Sequence, residues 1–232
     1  GTFVNTAQFS LASGTAYALS VSPTAATVAN RNTLSNIVVS VVDASGNVIP
    51  DSTAQITASV SGIALTGTNI RFASSGVTTF SDLVLSGATG TYNLGLTSTG
   101  LLGATVSVTV THGQASYITL TSSATASNAQ NLATQPVARI FDADGNLVTT
   151  GAQSTQTVRL SVTGATLSGT AAISASAGVA TFSGISLQGL IGSKTLTAEV
   201  GLPATLSANV SISLDFGNVT ALSLERSAAG AA

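Results

Sequence analysis

One stretch occurs twice in this chain. Gly76 to Val110 reads GVTTFSDLVLSGATGTYNLGLTSTGLLGATVSVTV, and Gly178 to Leu214 reads GVATFSGISLQGLIGSKTLTAEVGLPATLSANVSISL. Gly76, Phe80, Leu85, Gly87, Gly90 and Leu94 return as Gly178, Phe182, Leu187, Gly189, Gly192 and Leu196, always 102 residues later. An internal echo of this length constrains the fold strongly, because both copies must build the same supersecondary unit. The constant positions are glycines and large apolar residues. Asp82 and Asn93, in contrast, become Gly184 and Thr195. This pattern predicts three strands in a row, with a fixed interior and an exterior that drifts.

The unit boundaries follow from a second repeated shape. Phe9 and Leu11 alternate with polar residues before Gly14, as do Val108 and Val110 before Gly113, and Ile212 and Leu214 before Gly217. A strand-like run follows each glycine: AYALSV from Ala16, SYITLT from Ser116 and TALSLE from Thr220. Residues 1–13 are thus expected to be the last strand of a preceding unit, or a donor strand. Residues 14–112 and 113–216 are two complete domains, and residues 217–232 the first strand of a following unit or a C-terminal tail. The chain begins at Gly1 without a signal-peptide pattern. It therefore reads as a window on a longer array.

Inside each unit the period is two. Val39 and Val41 flank Ser40, and Ile56, Ala58 and Val60 alternate with Gln55, Thr57 and Ser59. In the second unit Ala138 and Ile140 flank Arg139, and Val158, Leu160 and Val162 alternate with Thr157, Arg159 and Ser161. Such alternation is the mark of a half-buried strand. DASGNVIP at Asp43–Pro50 and FDADGNLVTTG at Phe141–Gly151 are turns rich in Asp, Asn and Gly, residues that tolerate turn geometry. About seven short strands per ~100 residues make an immunoglobulin-like β-sandwich. The expected fold class is all-β, with two such sandwiches in tandem and partial neighbours at both ends. Lys194 replaces Tyr92 and is expected to lie at a sheet rim with its ammonium in water.

Composition narrows the function. Charged residues are only 6% of the 232, the net charge is −2 and the basic residues are scattered. There is no electrostatic footprint for nucleic acid. No apolar run reaches the ~18 residues of a membrane helix, so no membrane insertion by this segment is expected. Cysteine is absent, which removes disulfides and thiolate chemistry.

DASGN and DADGN, with the run G-V-x-T-F-S and its following L/I-x-L pair, resemble the bacterial immunoglobulin-like repeats of invasin- and intimin-type surface proteins. The likeness extends over both units. It implies an extracellular, cell-surface location and a rod that spaces, displays or assembles. It brings no catalytic residue with it.

Candidate sites are few. Asp142, Asp144 and Asn146 have the spacing that opens an oxygen-rich calcium loop, and they are the candidate metal ligands. A helical calcium loop requires a bidentate Glu at its twelfth position; Gln153 stands there, and Ser45 replaces Asp144 in the first unit. The competing reading is a turn held by Asp and Asn side chains, and no cofactor is otherwise expected. His112 is the lone histidine, without partners for a metal or a hydrolytic triad. Glu199 and Glu225 are the only glutamates, too sparse for a carboxylate pair. Asn209-Val-Ser and Asn218-Val-Thr match the N-glycosylation pattern.

No enzyme is expected. The leading expectation is a structural surface protein: part of a filament, S-layer, stalk or adhesin shaft, associating with neighbouring units or subunits. The alternative is an adhesive module for surface glycans or a host protein. Tyr17 and Tyr117 occupy nearly the same place in each unit, which points to packing rather than sugar stacking.

Overall fold

The computed structural model describes residues 12–201 and 204–218. The strands expected at 1–13 and 217–232 therefore fall almost wholly outside the described residues. The chain divides into two compact units, one ending at Gly113 and the next starting at Gln114. Strands dominate both. Among the described residues the one helical element is a short 3-10 turn, Ala152–Thr155.

The first unit contains β1 (Ala18–Ser22), β2 (Ala25–Ala29), β3 (Ile37–Val42), β4 (Gln55–Ser59), β5 (Ala64–Thr66), β6 (Ile70–Phe72), β7 (Val77–Phe80), β8 (Val84–Ser86), β9 (Gly90–Thr97) and β10 (Ala104–Thr111). One sheet has the order β1-β3-β7 and the other β2-β10-β9-β4-β6, while β5 and β8 form a separate pair. All the pairings are antiparallel except β2 on β10. The second unit repeats this with β11 (Ala115–Thr121), β12 (Thr125–Ser127), β13 (Val137–Asp142), β14 (Thr157–Thr163), β15 (Thr166–Ser168), β16 (Ala172–Ser174), β17 (Val179–Thr181), β18 (Ser186–Gln188), β19 (Gly192–Gly201) and β20 (Thr205–Asp215). Its sheets run β11-β13-β17 and β12-β20-β19-β14-β16, with β15 beside β18.

Two details differ from the sequence reading. Each unit has more than seven strands, because β5, β6, β8 and their counterparts are only three residues long. Three residues are too few for an alternation to register as a strand. The repeated stretch is also four strands rather than three. The break at Ser81–Asp82 lets β7 join the first sheet while β8 turns away to pair with β5.

The inward rows of both sheets meet in one core per unit. In the first, Leu19, Val39, Val41, Ile56, Phe80, Leu83, Leu85, Leu94, Leu96, Val106, Val108 and Val110 are all buried. In the second, Ile140, Val158, Phe182, Ile185, Leu187, Leu196, Val200, Ile212 and Leu214 fill the same role. The glycines at 76 and 178 are fixed by backbone proximity. Both have φ +78°, and a Cβ there would be driven into the carbonyl oxygen of Ile49 or Val148.

Phe80 and Phe182 are the largest side chains buried in their cores. Truncating either to Ala leaves a cavity, which should remove about 3–5 kcal/mol from its own unit. Calorimetry of Phe182→Ala should show one transition moved to lower temperature and the other unmoved. Two unmoved transitions would contradict this account of the core.

Candidate functional site

The acidic turns at Asp43 and Asp142 are closed by hydrogen bonds to their carboxylates. In the first unit Asp43 is buried at the end of β3. Its Oδ1 accepts from the backbone N–H of Ser45 and of Asn47, each at 2.9 Å, and from Asn47 Nδ2 at 3.2 Å. Its Oδ2 accepts from Gly14 N at 2.8 Å and from Asn47 Nδ2 at 3.0 Å. The carboxylate therefore ties the segment preceding β1 to the β3 turn. These donors, led by the Gly14 N–H and then the Asn47 side chain, hold its pKa down to about 2, against a smaller opposing effect of burial.

Asp142 repeats the arrangement. It is buried, and its Oδ1 accepts from Asp144 N at 3.0 Å, Asn146 N at 2.9 Å and Asn146 Nδ2 at 3.1 Å. Its Oδ2 accepts from Asn146 Nδ2 at 2.9 Å. Asp144 and Asn146 thus meet Asp142 through N–H donors. The geometry is that of an Asx-type turn. Gln153, at the position where a calcium loop would need its glutamate, instead accepts from Ala115 N through Oε1 at 2.8 Å and anchors the start of β11. Among the described residues no group of three His, Cys, Asp or Glu side chains converges.

A second clamp holds the end where the last strand of each unit finishes. Asn128 donates through Nδ2 to Gly189 O at 2.6 Å and accepts from Gly189 N through Oδ1 at 3.1 Å. Asn30, which is buried, accepts from Gly87 N at 3.0 Å. Gly113 and Gly217 lie against the carbonyls of Asn30 and Asn128, too close for any Cβ. The boundary glycines seen in sequence are therefore packing requirements. No sequence signal marked Asn30 and Asn128, since their partners are about 60 residues away.

Three readings need correction. Asp82 does not belong to a freely drifting exterior. It accepts from Thr68 Oγ1 at 2.6 Å and from Arg71 Nη2 at 3.0 Å, and the Thr68 bond, ahead of the Arg71 bond, lowers its pKa. The second unit replaces both partners of the ion pair together, with Ile173 for Arg71 and Gly184 for Asp82. Lys194 is 8% exposed, more enclosed than a rim lysine. It lies over Gly164, where a Cβ would sit only 3.6 Å from its Cδ. Tyr117 stacks on Phe141 with centroids 5.4 Å apart, whereas the Tyr17 N–H meets the Val42 carbonyl, and both tyrosines are exposed.

The remaining candidates stay apart. His112 is half-buried, its Nδ1 3.0 Å from Gly113 O. Glu199 faces Arg159 across β19 and β14, and Glu225 lies outside the described residues. Asn209 and Asn218 are both exposed. No helix among the described residues is long and apolar enough to cross a membrane.

The depressed pKa of Asp43 makes a pH prediction. A carboxylate held low in the folded state stabilises above its unfolded value near 3.9, and this is lost as pH falls through the folded value. The first unit's melting midpoint should therefore fall between about pH 4 and about pH 2. Asp43→Asn should lower that midpoint at pH 7 and flatten its acid slope, leaving only the contribution of groups such as Asp82. Equal slopes in both proteins would disprove the role given to the Gly14–Asp43 bond.

No protein-family model matches the chain, and no curated protein does. Among solved structures it is similar to FdeC, an adhesin of Escherichia coli, at 20% identity and a TM-score of 0.42, over 85% of this chain and 63% of that one. It is similar to the D00-D0 domain of intimin at 14% identity and 0.43, over 84% and 98%. It is also similar to a β-glycosidase from Bacteroides vulgatus at 12% identity and 0.38, over 86% of this chain and 25% of that one. The chain thus spans less than two thirds of FdeC and a quarter of the glycosidase. At this level neither adhesion nor hydrolysis transfers to it.

Proposed function

We propose that this chain is a non-enzymatic structural segment of a bacterial cell-surface protein. Its immunoglobulin-like units would be part of an extracellular filament, S-layer, stalk or adhesin shaft that associates with neighbouring units or subunits. The observation that carries this reading is the way the two units vary. They share strand order, core and clamps, and differ on their outer faces. Those faces are rich in hydroxyls and carry few charges. Thr27, Thr109 and Thr91 form one row across β2, β10 and β9, and Thr125, Ser213 and Ser193 another across β12, β20 and β19. Variation of this kind suits a spacer, whose outside need only stay soluble.

One observation favours a second reading, an adhesive module for carbohydrate. Phe72 is 65% exposed on edge strand β6, opposite Gln55. Gln55, Thr57, Thr97, Ser98 and Thr99 line an open polar depression on the same sheet. A ring beside hydroxyls and an amide is the chemistry that stacks on a sugar.

Electron microscopy of the purified protein separates the structural outcomes: fibres, lattice or single particles. Fibres that persist after deletion of residues 1–13 would rule out strand donation by that segment; loss of fibres with both units still folded is the result expected for strand addition. For the second reading, a glycan-array signal lost in Phe72→Ala is expected. The absence of any signal in the parent protein would remove it.

A further inference from the structure

The five-stranded sheet of the first unit ends on an outer face unlike its counterpart in the second. Phe72 stands opposite Gln55 and Ile70 opposite Thr57 across β6 and β4, and Thr57 stands opposite Thr97 across β4 and β9. Residues opposite one another share a face of the sheet, so these five side chains stand together. Phe72 is 65% exposed and Ile70 45%. Gln55, Thr57 and Thr97 line the open depression beside them. Among the described residues no protein group hydrogen-bonds those three side chains. Ile70 and Phe72 are about 7 Å apart along β6, and Gln55 is one strand spacing away, about 5 Å.

The second unit has the same strands and register but other residues, each 102 positions later. Ser174 stands opposite Thr157, Ala172 opposite Arg159, and Arg159 opposite Glu199. Thr157 Oγ1 lies 3.3 Å from Ser174 Oγ, so these hydroxyls satisfy each other. Charges occupy the places of the two threonines. Gly95 adds a further difference. It lies opposite Ser59 and two residues from Thr97 on the same face. A Cβ there would meet Ser59 at 3.7 Å, an ordinary contact, so the sandwich does not require a glycine. The second unit has Thr197 instead. Gly95 keeps the surface beside Thr57 and Thr97 low.

We propose that this face of β6, β4 and β9 binds a neutral hexopyranose of a glycan chain, and that the matching face of the second unit does not. The inference rests on the carbohydrate reading given above and names its ligand. The C–H groups on one side of a sugar ring are weakly positive and meet the negative face of the Phe72 ring. Ile70 extends that apolar contact. The Gln55 amide and the Thr57 and Thr97 hydroxyls each donate and accept, as sugar hydroxyls do. No charged side chain lines the depression. Arg71, between Ile70 and Phe72, belongs to the opposite face: it pairs with buried Ile56, lies 6.0 Å from the Phe80 ring centroid and bonds Asp82. A sugar carboxylate would lose water here without gaining a cation.

Nuclear magnetic resonance titration of the isotope-labelled chain tests this, with cellobiose, lactose, mannobiose and digalacturonate up to about 10 mM, a range that covers a dissociation constant near 1 mM. At least one neutral disaccharide should shift the Gln55 side-chain amide and the amides of Thr57, Ile70, Phe72 and Thr97. Thr157, Arg159 and Glu199 should not respond, and digalacturonate should bind at least about tenfold more weakly. Phe72→Ser should weaken binding about tenfold or more. Gly95→Thr should do the same, as should Thr57→Arg combined with Thr97→Glu. These changes install residues that the second unit already carries on the same register, so the melting midpoint should hold. The proposal is overturned if no neutral sugar shifts this face, if the second unit responds equally, if digalacturonate binds as well, or if the variants bind like the parent. Shifts at this face that grow with protein concentration in sugar-free solution would also overturn it, by showing that another copy covers it. A glycan-array signal that survives Phe72→Ser would sink this site and leave carbohydrate adhesion standing; no array signal and no titration response would remove both.

Discussion

The register of the long hairpins is the constraint on which both units rest. Leu94 stands opposite Val106 on β9 and β10, and Leu196 opposite Val210 on β19 and β20. Side chains alternate faces along a strand, so a slip of one residue would turn the whole inner row outward. With the register in place, one face of the five-stranded sheet is mostly Leu and Val, and the other mostly Thr and Ser, with Arg159 opposite Glu199 in the second unit. The first sheet then closes over the apolar face through Val39, Val41 and Phe80, or through Ile140 and Phe182. Cores built mostly from Val, Leu and Ala have little spare volume. Gly76 and Gly178 are constant for the same reason, since the backbone passes too close to Ile49 or Val148 for any side chain.

Polar groups have been assigned to the ends of the sandwich rather than its interior. Asp43 and Asp142 each organise a turn through N–H donors, and Asn30 and Asn128 each brace the far end. A buried carboxylate is tolerable only when its oxygens are satisfied. That requirement explains why the motif is Asp-x-x-Gly-Asn in both units: the final Asn returns both a backbone and a side-chain donor to the same carboxylate. It also explains why a sequence with calcium-like spacing forms a turn.

Differences between the units lie where the fold permits them. The Arg71–Asp82 ion pair is replaced as a whole in the second unit, by Ile173 and Gly184. Tyr92 and Lys194 both lie over a glycine, Gly62 or Gly164, and each covers it in its own way. Ala88, Thr89 and His112 of the first unit become Leu190, Ile191 and Phe216 in the second.

Much of the architecture was legible in the chain. Period-two alternation in Val39–Val41, Leu94–Leu96 and Val106–Val110 marks strands and their buried faces, because side-chain direction in a strand is a local property. The glycines and the Asp-Asn turns were legible for the same reason. What the chain alone did not reveal is everything that depends on residues distant in sequence. The three-residue strands exist only through their partners, and β8 parts from β7 because β5 offers it a ladder. Asn128 becomes a clamp only when Gly189 is folded against it. Asp142 accepts from the N–H groups of Asp144 and Asn146 once the turn brings them to it. Local pattern determined that this chain forms all-β sandwich units with few charged residues. Tertiary packing decided which polar groups are satisfied and which apolar ones are buried, because burial and hydrogen bonding are settled between segments and not within them.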